Sequence, residues 1–109
     1  MARRNPPEVI AKGTTMVLIA EDIKAYNVET GEYDDLTSPD SVLFRIENSA
    51  GTTVAEATGQ QEGSTNNFNA LYTFATAGEL TYQAVVTEGS SVGYSLKQRV
   101  SVEESIADI

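Results

Sequence analysis

The stretch TFATAGELTYQAVV, residues 73–86, decides the fold. It reads as a strand, a corner at Ala77-Gly78, and a second strand in which Leu80, Tyr82, Ala84 and Val86 fall on one face. A period of two between apolar and polar positions is the signature of a strand with one covered face, whereas a helix repeats near 3.6. No segment of the chain sustains the helical period, so the reading spreads outward from this corner as all-β.

Upstream, FNALYTFAT places Phe68, Tyr72 and Phe74 on one parity and Leu71 on the other, which predicts a strand covered on both sides. In SVLFRIEN, Val42, Phe44 and Ile46 alternate with Leu43, Arg45 and Glu47, giving a covered and a wet face. Asn48-Ser49-Ala50-Gly51 supplies a turn, and TTVAEATG returns as the hairpin partner. From Thr15 to Tyr26 the pattern predicts one long strand with Val17, Ile19, Ile23 and Ala25 inside and Glu21 as an irregularity. Residues 27–41 read as a long polar connection punctuated by Gly31 and Pro39. Downstream, Tyr94, Leu96, Val100 and Val102 line up in a last strand. Six or seven strands at such spacing predict one antiparallel sandwich or small barrel.

Composition bounds the chemistry. The 109 residues suffice for one domain with its own core. Cysteine and histidine are absent, which removes thiol chemistry, the commonest general base and the preferred zinc ligand. Sixteen acidic residues face seven basic ones, for a formal charge of −9. Two of the basic residues are Arg3 and Arg4, so residues 5–109 hold 16 acids against 5 bases, or −11. Such a body repels phosphate backbones, and nucleic acid is not an expected partner. The acidity has two readings, a solvated surface or adaptation to high salt, and the presence of only three lysines leans toward the second. The opening MARRNPPEVIAKG has no apolar run behind its arginines and does not read as a secretory leader. Residues 16–20 form the longest apolar run, too short for a bilayer, so no membrane association is expected.

The chain divides into an extended N-terminal arm, residues 1–12, the sandwich, residues 13–104, and a short tail, residues 105–109. In the arm, Arg3 and Arg4 precede Asn5-Pro6-Pro7, which favours a stiff, polyproline-like conformation. An arginine fork binds carboxylates bidentately, so Arg3, Arg4, Pro6 and Pro7 are the candidate partner-binding residues, clasping the acidic surface of a neighbouring copy. The acidic group Glu29, Glu32, Asp34, Asp35 and Asp40 surrounds Gly31 but lacks EF-hand spacing and reads as a solvated loop. The doublets Glu21-Asp22 and Glu103-Glu104 cannot each act as an acid and base pair, because adjacent strand residues point to opposite faces. No catalytic residue, metal site or cofactor is expected. Of the tyrosines, Tyr72, Tyr82 and Tyr94 sit with core positions and Tyr33 is placed for exposure, where an aromatic face can stack on a sugar.

The strand TTMVLIAEDIKAYN, the link with Pro39 before SVLFRIENSAGTTV, and the corner TAGELTYQAVV leading to KQRVSVEE resemble cysteine-free immunoglobulin-like sandwiches of about seven strands. Leu80 stands where many such domains place a corner tyrosine. The order and spacing of these pieces, over residues 13–103, are similar to small immunoglobulin-like proteins encoded among the head and tail genes of tailed viruses. That resemblance implies a non-enzymatic virion structural protein that decorates or stabilises the capsid, with the major capsid protein or other virion subunits as partners and a homo-oligomeric arrangement in the assembly. The alternatives are a head-to-tail junction or tail component, and a glycan-binding adhesion domain.

Overall fold

The computed structural model describes residues 8–104, apart from the side chain of Glu8. Eleven strands run through it: β1 Glu8–Ala11, β2 Thr14–Ala20, β3 Lys24–Asn27, β4 Glu32–Asp35, β5 Ser41–Asn48, β6 Thr53–Thr58, β7 Gln60–Gln61, β8 Phe68–Phe74, β9 Gly78–Glu88, β10 Ser91–Tyr94 and β11 Gln98–Glu103. They form a six-stranded sheet in the order β1-β11-β9-β5-β6, with β10 also on β9, a three-stranded sheet β2-β8-β7, and the ribbon β3-β4. The two larger layers pack as a β-sandwich. Every pairing is antiparallel except β1 on β11, which is parallel.

The corner behaves as its sequence requires. β8 ends at Phe74 in the small sheet and β9 begins at Gly78 in the large one, so residues 75–77 carry the chain between layers. Gly78 sits at φ 139°, a conformation that costs a residue bearing Cβ more than it costs glycine. The inner faces then meet in one core in which Leu18, Phe44, Ile46, Phe68, Phe74 and Val86 are fully buried. In β5 the alternation is as read, with Val42, Phe44 and Ile46 inside. Its hairpin to β6 turns at Gly51, where the Asn48 side chain accepts from the amides of Ala50 and Thr52.

Four expectations are corrected. The first long strand breaks at Glu21 and Asp22, the latter at φ 59°, and the parity flips there. Leu18 and Ala20 therefore point inward together with Ile23 and Ala25, while Val17 and Ile19 point out. Residues 27–41 are not one loop. Glu32–Asp35 folds back on Lys24–Asn27 around a turn in which Gly31, at positive φ, donates its amide to the Asn27 carbonyl at 2.8 Å. Leu71 is 68% exposed rather than covered on both sides. The last strand is split at residues 95–97, where the Ser95 hydroxyl accepts the Ala84 amide at 2.8 Å, and this leaves Tyr94 and Leu96 outside while Val100 and Val102 are buried.

The arm also gains structure. Its described part, Glu8–Ala11, is extended and paired as the edge strand of the large sheet. Residues 105–109, the expected tail, lie outside the described residues.

Candidate interaction surfaces

The outer face of the small sheet is built from alternate residues of β2 and β8, with register partners Thr15 and Thr73, Val17 and Leu71, and Ile19 and Asn69. None of these six side chains carries a charge, and Val17, Ile19 and Leu71 are exposed large apolar groups lying side by side. The outer face of the large sheet is different. It carries the ion pairs Arg45 with Glu56 at 4.0 Å, Lys97 with Glu47 at 3.1 Å and Arg99 with Glu79 at 3.5 Å. β2 is also the outermost strand of its sheet, and among the described residues nothing pairs its second edge. A clustered apolar surface beside an open strand edge is a surface suited to contact with another chain.

The β3-β4 ribbon is a second exposed element. Tyr26 and Tyr33 are cross-strand partners whose rings meet edge to face at 5.2 Å between centroids. Tyr26 is 53% and Tyr33 67% exposed, and Val28 in the turn is more exposed still. The base of the ribbon is anchored by Ile23 and Leu36, both buried and joined by a Leu36 amide to Ile23 carbonyl bond of 3.1 Å. Gly93 of β10 lies against this base so closely that a Cβ there would stand 2.7 Å from the Lys24 carbonyl oxygen. The sequence placed Tyr33 outside but grouped Tyr94 with the core, whereas Tyr94 is 57% exposed. Tyr72 and Tyr82 pack against the core as read.

The acidic residues around the ribbon do not converge on one point. Asp34 accepts a bond from the Asn27 amide nitrogen at 2.9 Å, and Asp35 holds the Lys24 ammonium at 2.5 Å. Asp40 accepts from the Gly89 amide, on the far side of the ribbon base. Among the described residues no group of three or more acidic side chains is arranged to hold a metal ion. The hydrogen bond to Asp35 raises the pKa of Lys24 above the ordinary lysine value, with the Asp22 charge adding to it against some desolvation.

An open groove of about 420 Å³ lies at the end of the sandwich, with Asn48, Val54, Tyr72, Phe74, Ala77 and Leu80 among its lining residues. It is mostly apolar and brings no acid and base pair together. The expected partner-binding residues Arg3, Arg4, Pro6 and Pro7 lie outside the described residues. What sequence reasoning passed over is the surface of β2. Its signal was present: TTMVLIA is seven residues with no charge, proline or glycine in a chain that is 21% charged. No protein-family model, curated protein or solved structure matches this chain.

Proposed function

We propose that this chain is a non-enzymatic, immunoglobulin-like virion protein that decorates or stabilises the capsid of a tailed virus, binding shell subunits through the outer face of its small sheet. The strand order supports the immunoglobulin-like reading: β2-β8-β7 corresponds to the B-E-D strands of that fold, and β11-β9-β5-β6 to G-F-C-C′. The observation that carries the functional reading is the uncharged row Val17, Ile19 and Leu71 on an otherwise strongly acidic body.

The size of that face favours a contact made many times over. Two seven-residue strands, β2 and β8, at about 4.8 Å spacing and about 3.3 Å per residue give a patch of roughly 220 Å², to which the two residues of β7 add little. A stable pairwise interface needs about 800 Å² per partner. One such contact is weak, and a shell that repeats it at equivalent sites gains through avidity. The test is the copy number of the chain in purified particles, measured by quantitative mass spectrometry against the most abundant shell subunit. Comparable numbers support surface decoration, a single ring's worth moves the protein to the head-to-tail junction or tail, and absence from particles ends the virion reading.

A second reading follows from Tyr26 and Tyr33, whose exposed rings offer stacking area to a sugar. A glycan array on the intact protein and its Tyr33→Ala variant tests it: binding lost in the variant supports an adhesion domain.

A further inference from the structure

An edge strand is a template for another strand, and natural sheets blunt such edges with charge, proline, bulges or short length. Other edges of this molecule are blunted in these ways. β1 has four residues and β7 two, β6 carries Glu56 and shifts register against β5 between Ile46 and Glu47, and β10 lies close under the Lys24 backbone at Gly93. β2 is the exception. Its seven residues hold no charge, proline or glycine, and its pairing to β8 runs in unbroken register from Thr14 to Ala20.

We infer that the occupant of this edge is β2 of a second copy, paired antiparallel about a twofold axis at Val17, so that two small sheets join into one of six strands. The charges at the ends of the strand select this arrangement. Lys12 precedes β2, Glu21 and Asp22 follow it, and all three are exposed. With Val17 opposite Val17, Thr15 meets Ile19, Thr14 meets Ala20, and Lys12 of each copy comes level with Asp22 of the other. Parallel pairing would instead set Lys12 against Lys12 and Asp22 against Asp22. Sliding the antiparallel register by two residues puts Lys12 level with Lys24 in one direction and Asp22 level with Ile10 in the other. A slip of one residue sends the apolar faces to opposite sides of the joined sheet. Neither end charge is tied up within its own copy: Lys12 meets the exposed Glu104 at 3.0 Å, and Asp22 lies 3.6 Å from a Lys24 held chiefly by Asp35.

The side chains agree with the charges. On the outer face the seam pairs Val17 with Val17 and Thr15 with Ile19, all β-branched, the class that packs well across neighbouring strands. On the inner face it sets Met16, only partly buried in one copy, against Leu18 of the other. No acidic side chain lies between Gly13 and Ala20, so two bodies that each carry a formal charge of −9 meet along a stretch that adds no repulsion of its own. The pairing also lays two outer patches of roughly 220 Å² side by side, although the dimer itself does not depend on a viral role. Seven residues make a seam of only about 23 Å, so the association is of moderate strength and is best captured covalently.

The absence of cysteine makes the axis testable. Residues directly opposite in antiparallel strands have Cα atoms about 4.5–5.5 Å apart, within reach of a disulfide. The full chain carrying Val17→Cys, oxidised mildly with diamide and resolved by intact mass and non-reducing electrophoresis, is expected to give a linked dimer. Leu71→Cys is the control. It lies on the same face and is more exposed, 68% against 48%, but the pairing holds its two copies about 14 Å apart. Chance collisions therefore favour Leu71→Cys, whereas the twofold favours Val17→Cys. Equal or faster linking at Leu71, or none at Val17, overturns the proposal. A second measurement needs no cross-link: Val17→Lys and Val17→Glu each set like charges at the axis and are expected to weaken association about tenfold in sedimentation equilibrium. Mixed together, the two variants are expected to form a heterodimer that native mass spectrometry resolves by its mass. A wild-type chain that stays monomeric, its edge covered by another part of the same chain or left open, overturns the inference, as does a dimer indifferent to both substitutions.

Discussion

The two sheets of the sandwich are alike on the inside and opposite on the outside. Facing the core, β5 and β9 present Phe44, Ile46, Ala84 and Val86, and β2 and β8 present Leu18, Ala20, Phe68 and Phe74. Facing outward, the large sheet sets basic and acidic side chains across neighbouring strands, while the small sheet sets Val17 beside Leu71. Folding demands only the first similarity. The difference outside is not required by the core, and the proposed contact is an explanation for it. That is why the small sheet, and not the more heavily paired large one, carries the functional proposal.

The comparison breaks most visibly if the layers are not one folding unit. Phe44→Ala in the large sheet and Phe68→Ala in the small one each remove a ring that is fully buried, and each is expected to cost about 3–5 kcal/mol. Because the rings share one core, urea denaturation followed by fluorescence and by far-ultraviolet circular dichroism should give coincident single transitions in both variants. Separate transitions would mean that the small sheet melts as its own layer, and its exposed face would then reflect loose packing rather than a contact surface.

The next effect concerns the element that belongs to neither sheet. Gly93→Ala introduces a methyl 2.7 Å from the Lys24 carbonyl oxygen and 2.8 Å from side-chain carbons of Ile23 and Leu36. A backbone oxygen and two buried side chains have little room to give, so a loss of about 1–3 kcal/mol is expected. The nuclear Overhauser contacts between β3 and β10 should weaken while those between Tyr26 and Tyr33, internal to the ribbon, persist. If both sets survive with unchanged stability, the ribbon is not anchored at Gly93.

These elements also show what the sequence made legible. SVLFRIEN declared its faces because Arg45 and Glu47 label the wet side. TTMVLIA did not, because both of its parities are apolar and alternation gives no sign of which one turns inward. The core settled it by taking Leu18 and Ala20. The ribbon was hidden for the opposite reason, since a polar two-stranded element exposed on β4 has the composition of a loop. The break at residues 95–97 depends on a serine hydroxyl replacing a ladder bond, an event that periodicity does not register. Of the candidate surface, the charge asymmetry of the sequence was legible, but the open edge of β2 was not, because an edge exists only once the strand order is known.

A smaller effect on stability sharpens the contrast between the outer faces. Leu71→Lys places a charge on an already exposed position, and stability is expected to shift by about 0.5 kcal/mol or less. Binding to purified particles should nevertheless be lost. Removing the Arg99 partner of Glu79 by Arg99→Ala, on the charged face, is expected to change stability by about 1 kcal/mol or less, as exposed ion pairs do, and to leave particle binding intact. Equal binding by both variants would erase the functional distinction between the two sheets.

The smallest effect lies at the base of the ribbon, where Lys24 joins Asp35 at 2.5 Å and Asp22 at 3.6 Å. The bond to Asp35 is the main cause of its raised pKa. For a group whose folded pKa exceeds its unfolded value, the contribution to stability is complete below the unfolded value, about 10.4 for lysine, and fades as pH rises through the folded one. The expected loss therefore begins only in alkaline solution, and the exposure of both partners to solvent keeps it small. Nuclear magnetic resonance titration of the Lys24 side chain should place its midpoint above the ordinary lysine value, and Asp35→Asn should bring it down. If the midpoint does not move in that variant, the pair is a passive surface contact, and the ribbon is held by Ile23, Leu36 and the close approach at Gly93 alone.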